Sequence, residues 1–185
     1  MIITDGLTEI EQGIYTKVAL GKFDGIHIGH RKLLHEMISS DDGLKSVIFT
    51  FALNSPVSFN PENTYIYDEA KRREIFESLG ADYLVEYYLD ETAASMDPKT
   101  FVREILVKRL HTKCVFCGED LSFGYKGKGN VETIKSLEDE LGISVRVIEK
   151  EKYSGTDVSS TRIRNAIRNN DIADADAMLG RDRKD

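Results

Sequence analysis

At 185 residues, with 41% hydrophobic and 31% charged side chains, the chain has enough apolar material for one sizeable core and reads as a single domain. A formal charge of -7 and a pI near 5.2 exclude a broadly basic surface, and with it nucleic acid or an anionic membrane as partner. The opening Met1-Ile2-Ile3-Thr4-Asp5 lacks the basic and apolar segments of a signal peptide, and no transmembrane run appears, so the expected compartment is cytoplasmic.

Residues 1–16 are polar and weakly patterned, with Ile14 and Tyr15 expected to join an edge strand. Val18-Ala19-Leu20 is a short apolar run that fits a buried strand, and Leu33, Leu34, Met37 and Ile38 recur at helical spacing. Between them, Leu20-Gly21-Lys22-Phe23-Asp24-Gly25-Ile26-His27-Ile28-Gly29-His30 is a glycine-rich loop feeding a helix. Such a junction aims unpaired N–H groups and the positive end of the helix dipole at whatever sits above it, which makes an anion site. If the helix begins near Gly29, His27 and His30 both face a bound phosphate and each can donate to it. The competing assignment puts His30 on the apolar face and His27 in a solvated loop; the dense glycines in a strand-loop-helix setting favour the phosphate.

Ser46-Val47-Ile48-Phe49-Thr50-Phe51 reads as a central strand, completing a βαβ pattern with a parallel sheet. The loop from Ala52 to Pro61 should then lie at that strand's carboxyl end, where ligands sit in open α/β sheets. Asp68 caps a helix with apolar positions Ile75, Phe76 and Leu79 and a stop at Gly80; its Lys71-Arg72-Arg73 run reads as a solvated face. Tyr83-Leu84-Val85 follows as a strand, and Asp97-Pro98 opens a helix with the stripe Phe101, Val102, Ile105, Leu106 and Leu110.

The two cysteines form Cys114-Val115-Phe116-Cys117 inside an apolar run that reads as a strand. An offset of three puts the thiols on opposite faces, and no second pair exists to complete a zinc site, so both are expected as buried structural thiols. Gly118 to Gly124 leaves this strand, and from its residue type alone Asp120 reads as tying its own turn. Gly124-Tyr125-Lys126-Gly127-Lys128-Gly129 lacks a P-loop pattern and reads as a flexible flap. Asn130 caps a helix carrying Val131, Ile134, Leu137 and Leu141, stopped by Gly142, and Ser144–Ile148 is the last strand. In Val158-Ser159-Ser160-Thr161-Arg162-Ile163-Arg164, Ser159 or Ser160 caps a helix with inner face Ile163, Ala166 and Ile167. Arg162 and Arg164 in its first turn oppose the helix dipole, a penalty that a bound triphosphate turns into attraction.

G-K-F-D-G-I-H-I-G-H resembles the nucleotide-binding signature of the nucleotidyltransferase superfamily, and specifically that of the FAD synthetase (FMN adenylyltransferase) domain of bacterial bifunctional riboflavin kinase/FAD synthetases. The likeness engages Gly21, Phe23, Asp24, Gly25 and Gly29, and implies that His27 and His30 contact ATP phosphates. Thr50, Phe51 and Pro56 match part of the family's Thr-Phe-x-Pro-x-Pro loop around the flavin, although the spacing and the first proline depart from it. The 118–124 stretch is similar to V-G-x-D-F-x-F-G, with leucine at the first aromatic position, which places Gly118, Asp120 and Phe123 beside nucleotide or flavin. Val158–Arg164 resembles I-S-S-T-x-I-R, so that Ser159, Ser160, Thr161 and Arg164 help to hold ATP.

The resemblance spans nearly the whole chain and implies one doubly wound, Rossmann-like parallel α/β domain of nucleotidyltransferase type over residues 1–185. The implied reaction takes ATP and FMN to FAD and pyrophosphate by in-line attack of the FMN phosphate. His27, His30 and Arg164 carry the electrostatic work, and Mg²⁺ bridges the ATP phosphates rather than resting in a protein cage, so no metal-ligating residue is expected. Bifunctional members continue into a riboflavin kinase barrel; here the sequence stops at Asp182-Arg183-Lys184-Asp185, so the kinase is expected to be absent and FMN to come from a separate kinase or kinase domain. The rivals are another transferase of the superfamily, using CTP or a different phosphate acceptor, and a catalytically silent flavin- or nucleotide-binding module.

Overall fold

The computed structural model describes residues 1–57 and 64–181. Among them, six strands form one parallel sheet: β1 (Ile2–Thr4), β2 (Thr16–Leu20), β3 (Lys45–Phe51), β4 (Tyr83–Tyr87), β5 (Thr112–Gly118) and β6 (Ser144–Ile148), in the order β1-β4-β3-β2-β5-β6. The chain winds outward from β2 through β3 and β4, then crosses back to lay β5 on the other side of β2. The strand order therefore reverses between β2 and β5, and the crevice beyond their carboxyl ends is where such sheets take ligands.

Helices cover both faces, so central strands are apolar on both sides, and every residue of β2 is buried. Ala19, Ile48, Leu84 and Phe116 point to one face, under α1 (Ile28–Ser39), α2 (Glu69–Ser78), α7 (Ser160–Arg168) and α8 (Ile172–Leu179). Val18, Val47, Phe49, Val85 and Val115 point to the other, under the helix that begins as α4 (Pro98–Phe101) and the turn of helix α5 (Val131–Lys135). Cys114 and Cys117 are both buried and free, three apart on β5 and so on opposite faces; burial pushes the Cys117 thiol up to about 12, which keeps it protonated and unreactive.

Several elements differ from the sequence reading. The edge strand is Ile2–Thr4, paired with Tyr83–Val85; Ile14 instead closes a turn on the Glu11 carbonyl after Gly13. The Asp97-capped helix widens to a π-helix over Val102–Arg109, where the Leu110 N–H reaches the Ile105 carbonyl, and its expected stripe is buried. The helix after Asn130 breaks at Ser136, whose hydroxyl bonds the Thr133 carbonyl, before α6 (Glu138–Leu141) resumes. Beyond β6 a small antiparallel hairpin, β7 (Lys152–Tyr153) and β8 (Thr156–Asp157), precedes α7. The 124–129 segment is not a loose flap: Phe123 and Gly129 exchange both backbone hydrogen bonds, and Gly124 and Gly129 press on Pro98, where a Cβ would come within 2.8 and 2.7 Å. The short helix α3 (Glu91–Ala94) and α8 were not anticipated; the alternating Ala and Asp of α8 give little apolar periodicity. Of the 52–61 loop, Ala52–Val57 is described; Ser58–Pro61, like the Asp182–Asp185 end, lies outside the described residues.

Candidate functional site

Directly after β2 the chain turns sharply. Gly25 has φ 79°, and a Cβ there would meet Ile66 at 2.7 Å, so only glycine fits. Phe23 and Ile26 also adopt left-handed φ, 49° and 44°, at roughly 1–3 kcal/mol each. Both side chains are fully buried, and that apolar burial offsets the backbone strain. The Phe23 ring meets Phe76 and His30 edge-on, which fixes the turn against α2 and α1.

His27 is the N-cap of α1. Its Nδ1 accepts the His30 N–H at 3.3 Å, which leaves the proton of the neutral ring on Nε2 as a free-standing donor. The two imidazoles stack at 3.6 Å between centroids, 16° from parallel. Burial lowers His27 to about 4 despite the Asp120 carboxylate, and burial, His27 and Arg72 push His30 well below the usual histidine range. At neutral pH the pair is uncharged, so it offers N–H donors rather than cations.

The second wall is α7. Ser159 caps it by accepting the Arg162 N–H at 3.2 Å, and the Ser160 hydroxyl donates to the Asp24 carbonyl at 2.8 Å. Arg164 pairs with the Asp24 carboxylate and donates to Thr161 Oγ1, while Asp24 also accepts the Ile66 N–H at 3.0 Å. Asp24 thus ties the glycine turn to the second signature. Arg162 turns away: it binds the carbonyls of Tyr153, Thr156 and Asp157 and lies over the Tyr153 ring, holding the β7–β8 hairpin.

These walls enclose a cleft of about 410 Å³ at the carboxyl ends of β2 and β5, a volume suited to a small-molecule ligand. His27, His30, Arg164, Gly21, Phe23, Asp24, Gly29, Phe51, Gly118, Asp120, Phe123, Ser159, Ser160 and Thr161 all line it. Gly25 and Pro56 do not: Gly25 sits behind the turn against Ile66 and Leu179, and the apolar rim beyond Phe51 is made by Leu53 and Val57 instead. Asp120 does not tie its own turn; its carboxylate pairs with Lys150 at 3.0 Å. Lys22, Lys150 and Tyr65 also line the cleft; Lys22 lies inside the glycine signature but was not singled out, and Lys150 and Tyr65 sit in loop sequence that carries no pattern. Arg72, read as solvated, is 2% exposed, with its guanidinium against the end of β2; Arg73 pairs with Glu86 and Glu69. Among the described residues no group of three or more His, Cys, Asp or Glu is placed to hold a metal ion, and no helix is long and apolar enough to cross a membrane.

A parallel sheet whose strand order reverses at a cleft floored by a helix-opening turn defines a doubly wound, Rossmann-like α/β protein with its ligand crevice at that reversal. The model of the family FAD synthetase matches residues 10–162. The chain belongs to the FAD synthetase family. It is 30% identical over 168 residues to a bifunctional riboflavin kinase/FMN adenylyltransferase of Buchnera aphidicola, covering 89% of this chain and 54% of the relative. It is 30% identical over 178 residues to the protein of the same description in Bacillus subtilis, covering 92% and 55%. The chain thus spans about half the length of the curated relatives it matches. Among solved structures it resembles a macrolide-efflux protein from Streptococcus pneumoniae, with TM-score 0.82 and 26% identity over 97% of this chain and 61% of that one. Pantothenate synthetase from Thermus thermophilus shares the fold, with TM-score 0.56 and 14% identity over 97% and 81%.

Proposed function

We propose that the protein transfers the adenylyl group of ATP to FMN, giving FAD and pyrophosphate. The observation that carries this reading is the convergence of the histidine turn and the Ser159–Arg164 helix start on one cleft with an apolar rim at Phe51, Leu53 and Val57. A phosphate chain fits the first two and a flat ring the third.

An oxygen of the FMN phosphate attacks the α-phosphorus of ATP, and the bond from that phosphorus to the bridging oxygen of pyrophosphate breaks as the new one forms. The attacking phosphate is already an anion, so no general base is needed, and the protein's task is to position two anions and stabilise the departing one. His27 Nε2–H and the N–H groups opening α1 donate to phosphate oxygens. Arg164 exchanges Asp24 for phosphate and follows charge onto the leaving group, while Thr161, already bonded to Arg164, steers it. Mg²⁺ carried on ATP would neutralise phosphate charge, and the Asp24 carboxylate that Arg164 releases would be the protein oxygen available to it. The reading places the protein in the cytoplasm with its small-molecule substrates and assigns FMN supply to a riboflavin kinase, separate or as a further domain.

Incubating the protein with ATP, Mg²⁺ and FMN and separating the products by chromatography tests this. FAD and pyrophosphate in equal amounts are expected. Binding of both substrates without FAD would leave a silent binding module, and turnover with CTP or another phosphate acceptor would move the protein elsewhere in the superfamily.

A further inference from the structure

The glycine turn is held from behind by two arginines that do not line the cleft. Arg72, on α2, donates from Nη2 to the Lys22 carbonyl at 3.1 Å and to Thr50 Oγ1 at 2.8 Å, and from Nη1 to the Phe51 carbonyl at 3.4 Å. Thr50 Oγ1 in turn donates to the Lys22 carbonyl at 2.9 Å. Arg181, just beyond α8, donates to the carbonyls of Gly25 at 3.0 Å and Ile26 at 3.4 Å, its guanidinium over the Tyr67 ring.

Three carbonyls of one short turn are thereby drawn backward. In a trans peptide the next N–H points the opposite way, so fixing the carbonyls of Lys22 and Ile26 directs the N–H groups of Phe23 and His27 away from the guanidinium groups. Phe23 and His27 both line the cleft, and the arginines do not.

The charge on Arg72 is unusual as well. Its hydrogen bonds go to neutral oxygens, its Nε is buried without a partner, and its guanidinium lies 5.9 Å from the Phe76 ring centre. Asp24 and Glu86 lie near enough to favour the charge without bonding it, and burial works against it. After burial and His27, the Arg72 charge also helps to keep His30 neutral. A buried cation bonded only to backbone and hydroxyl oxygens is an arrangement that an incoming polyanion improves.

We propose that Arg72, with Arg181 on the opposite side, is a positioning residue of the anion site: it turns the Gly21–His27 backbone so that its N–H groups face the ligand, and sets a positive charge behind them for a polyphosphate. The inference rests on the reading that ATP phosphates occupy this turn, and it is independent of the acceptor.

Calorimetric titration of ATP into the wild type and into Arg72→Met, Arg72→Gln and Arg72→Lys decides it, with thermal melts run alongside to confirm that each variant is folded. Arg72→Met should weaken ATP by about tenfold, the scale of a charge-assisted hydrogen bond, with Arg72→Gln close behind and Arg72→Lys regaining most of the loss. Arg181→Met should move ATP the same way by less, because it is less deeply buried than Arg72 and its charge is better screened. A folded Arg72→Met that binds ATP like the wild type overturns the proposal, and so does Arg72→Lys binding as poorly as Arg72→Met. If Arg72→Met does not fold, the Gln and Lys variants alone carry the comparison. A wild type that binds ATP but makes no FAD defeats only the catalytic reading; one that binds no ATP defeats both.

Discussion

The two helix starts that face the cleft are built on different plans. At α1 the cap is an imidazole, the first turn holds no acidic residue, and the donors are neutral and fixed by stacking, burial and arginines behind the backbone. At α7 the cap is a serine, and the nearby cation, Arg164, is already engaged by Asp24. One end presents rigid, uncharged donors; the other holds a charge that must change partners. The difference suggests a division of labour in which α1 fixes where the phosphates lie and α7 follows charge as it moves.

The largest expected effect falls on the rigid end. His27→Ala removes both the Nε2 donor and the Nδ1 acceptor that orders the first turn of α1. Loss of one such donor costs about 3 kcal/mol of barrier, or roughly a hundredfold in kcat. His30→Ala should act similarly, with added loss of stability from its packing on Phe23. Steady-state kinetics on folded variants gives the answer, and near-normal turnover in both would remove α1 from the chemistry.

Acid should expose the same end. The folded His27 titrates near 4, below its ordinary 6.5, so between those values the unfolded chain binds the extra proton and stability falls as pH falls. His30 shifts the same way. The contribution of His27 approaches about 3 kcal/mol, fully present above pH 6.5 and lost on the way to pH 4. Denaturant melts from pH 7 to pH 4.5 should show it, with a shallower decline in His27→Gln; identical slopes would mean that the ring is not held neutral.

The α7 end, which holds the charge, predicts a ligand-specific loss. Arg164→Ala should weaken ATP by about tenfold and FMN much less, since the arginine sits beside the capped start of α7. Titrating each ligand separately checks this, and equal losses would place Arg164 between the two substrates.

How much of this could be read from residues alone follows the range of the interactions. The glycine turn, the caps Asp68, Asp97, Asn130 and Ser159, and the apolar stripe of α1 are local patterns, and the structure keeps them, whereas an imidazole at His27 capping α1 carries no such signal. Arg72 is the opposite case. In Lys71-Arg72-Arg73 it looks solvated, and only carbonyls from Lys22 and Phe51, 50 and 21 residues away in sequence, draw it inside. β1 escaped for a related reason: three residues with two exposed isoleucines form a strand only because Tyr83–Val85 offers an edge. Glycines misled at 124–129, where they signal close approach to Pro98 rather than freedom.

The smallest effect separates the two ends most cleanly. Ser159 lines the cleft and matches the family's phosphate-binding motif, yet its Oγ is committed to the Arg162 N–H and so already serves the helix. Ser159→Ala should then cost about 1 kcal/mol, the usual price of a lost N-cap, which lowers Tm by roughly 2–4 °C in a chain of this size. ATP affinity should stay close to normal, because the neighbouring Ser160 still ties α7 to the glycine turn through the Asp24 carbonyl. The paired measurement is a thermal melt and an ATP titration on the same sample. Unchanged melting with a tenfold loss of ATP would show that the hydroxyl leaves the helix for the phosphate, and α7 would then share with α1 the role of a fixed donor.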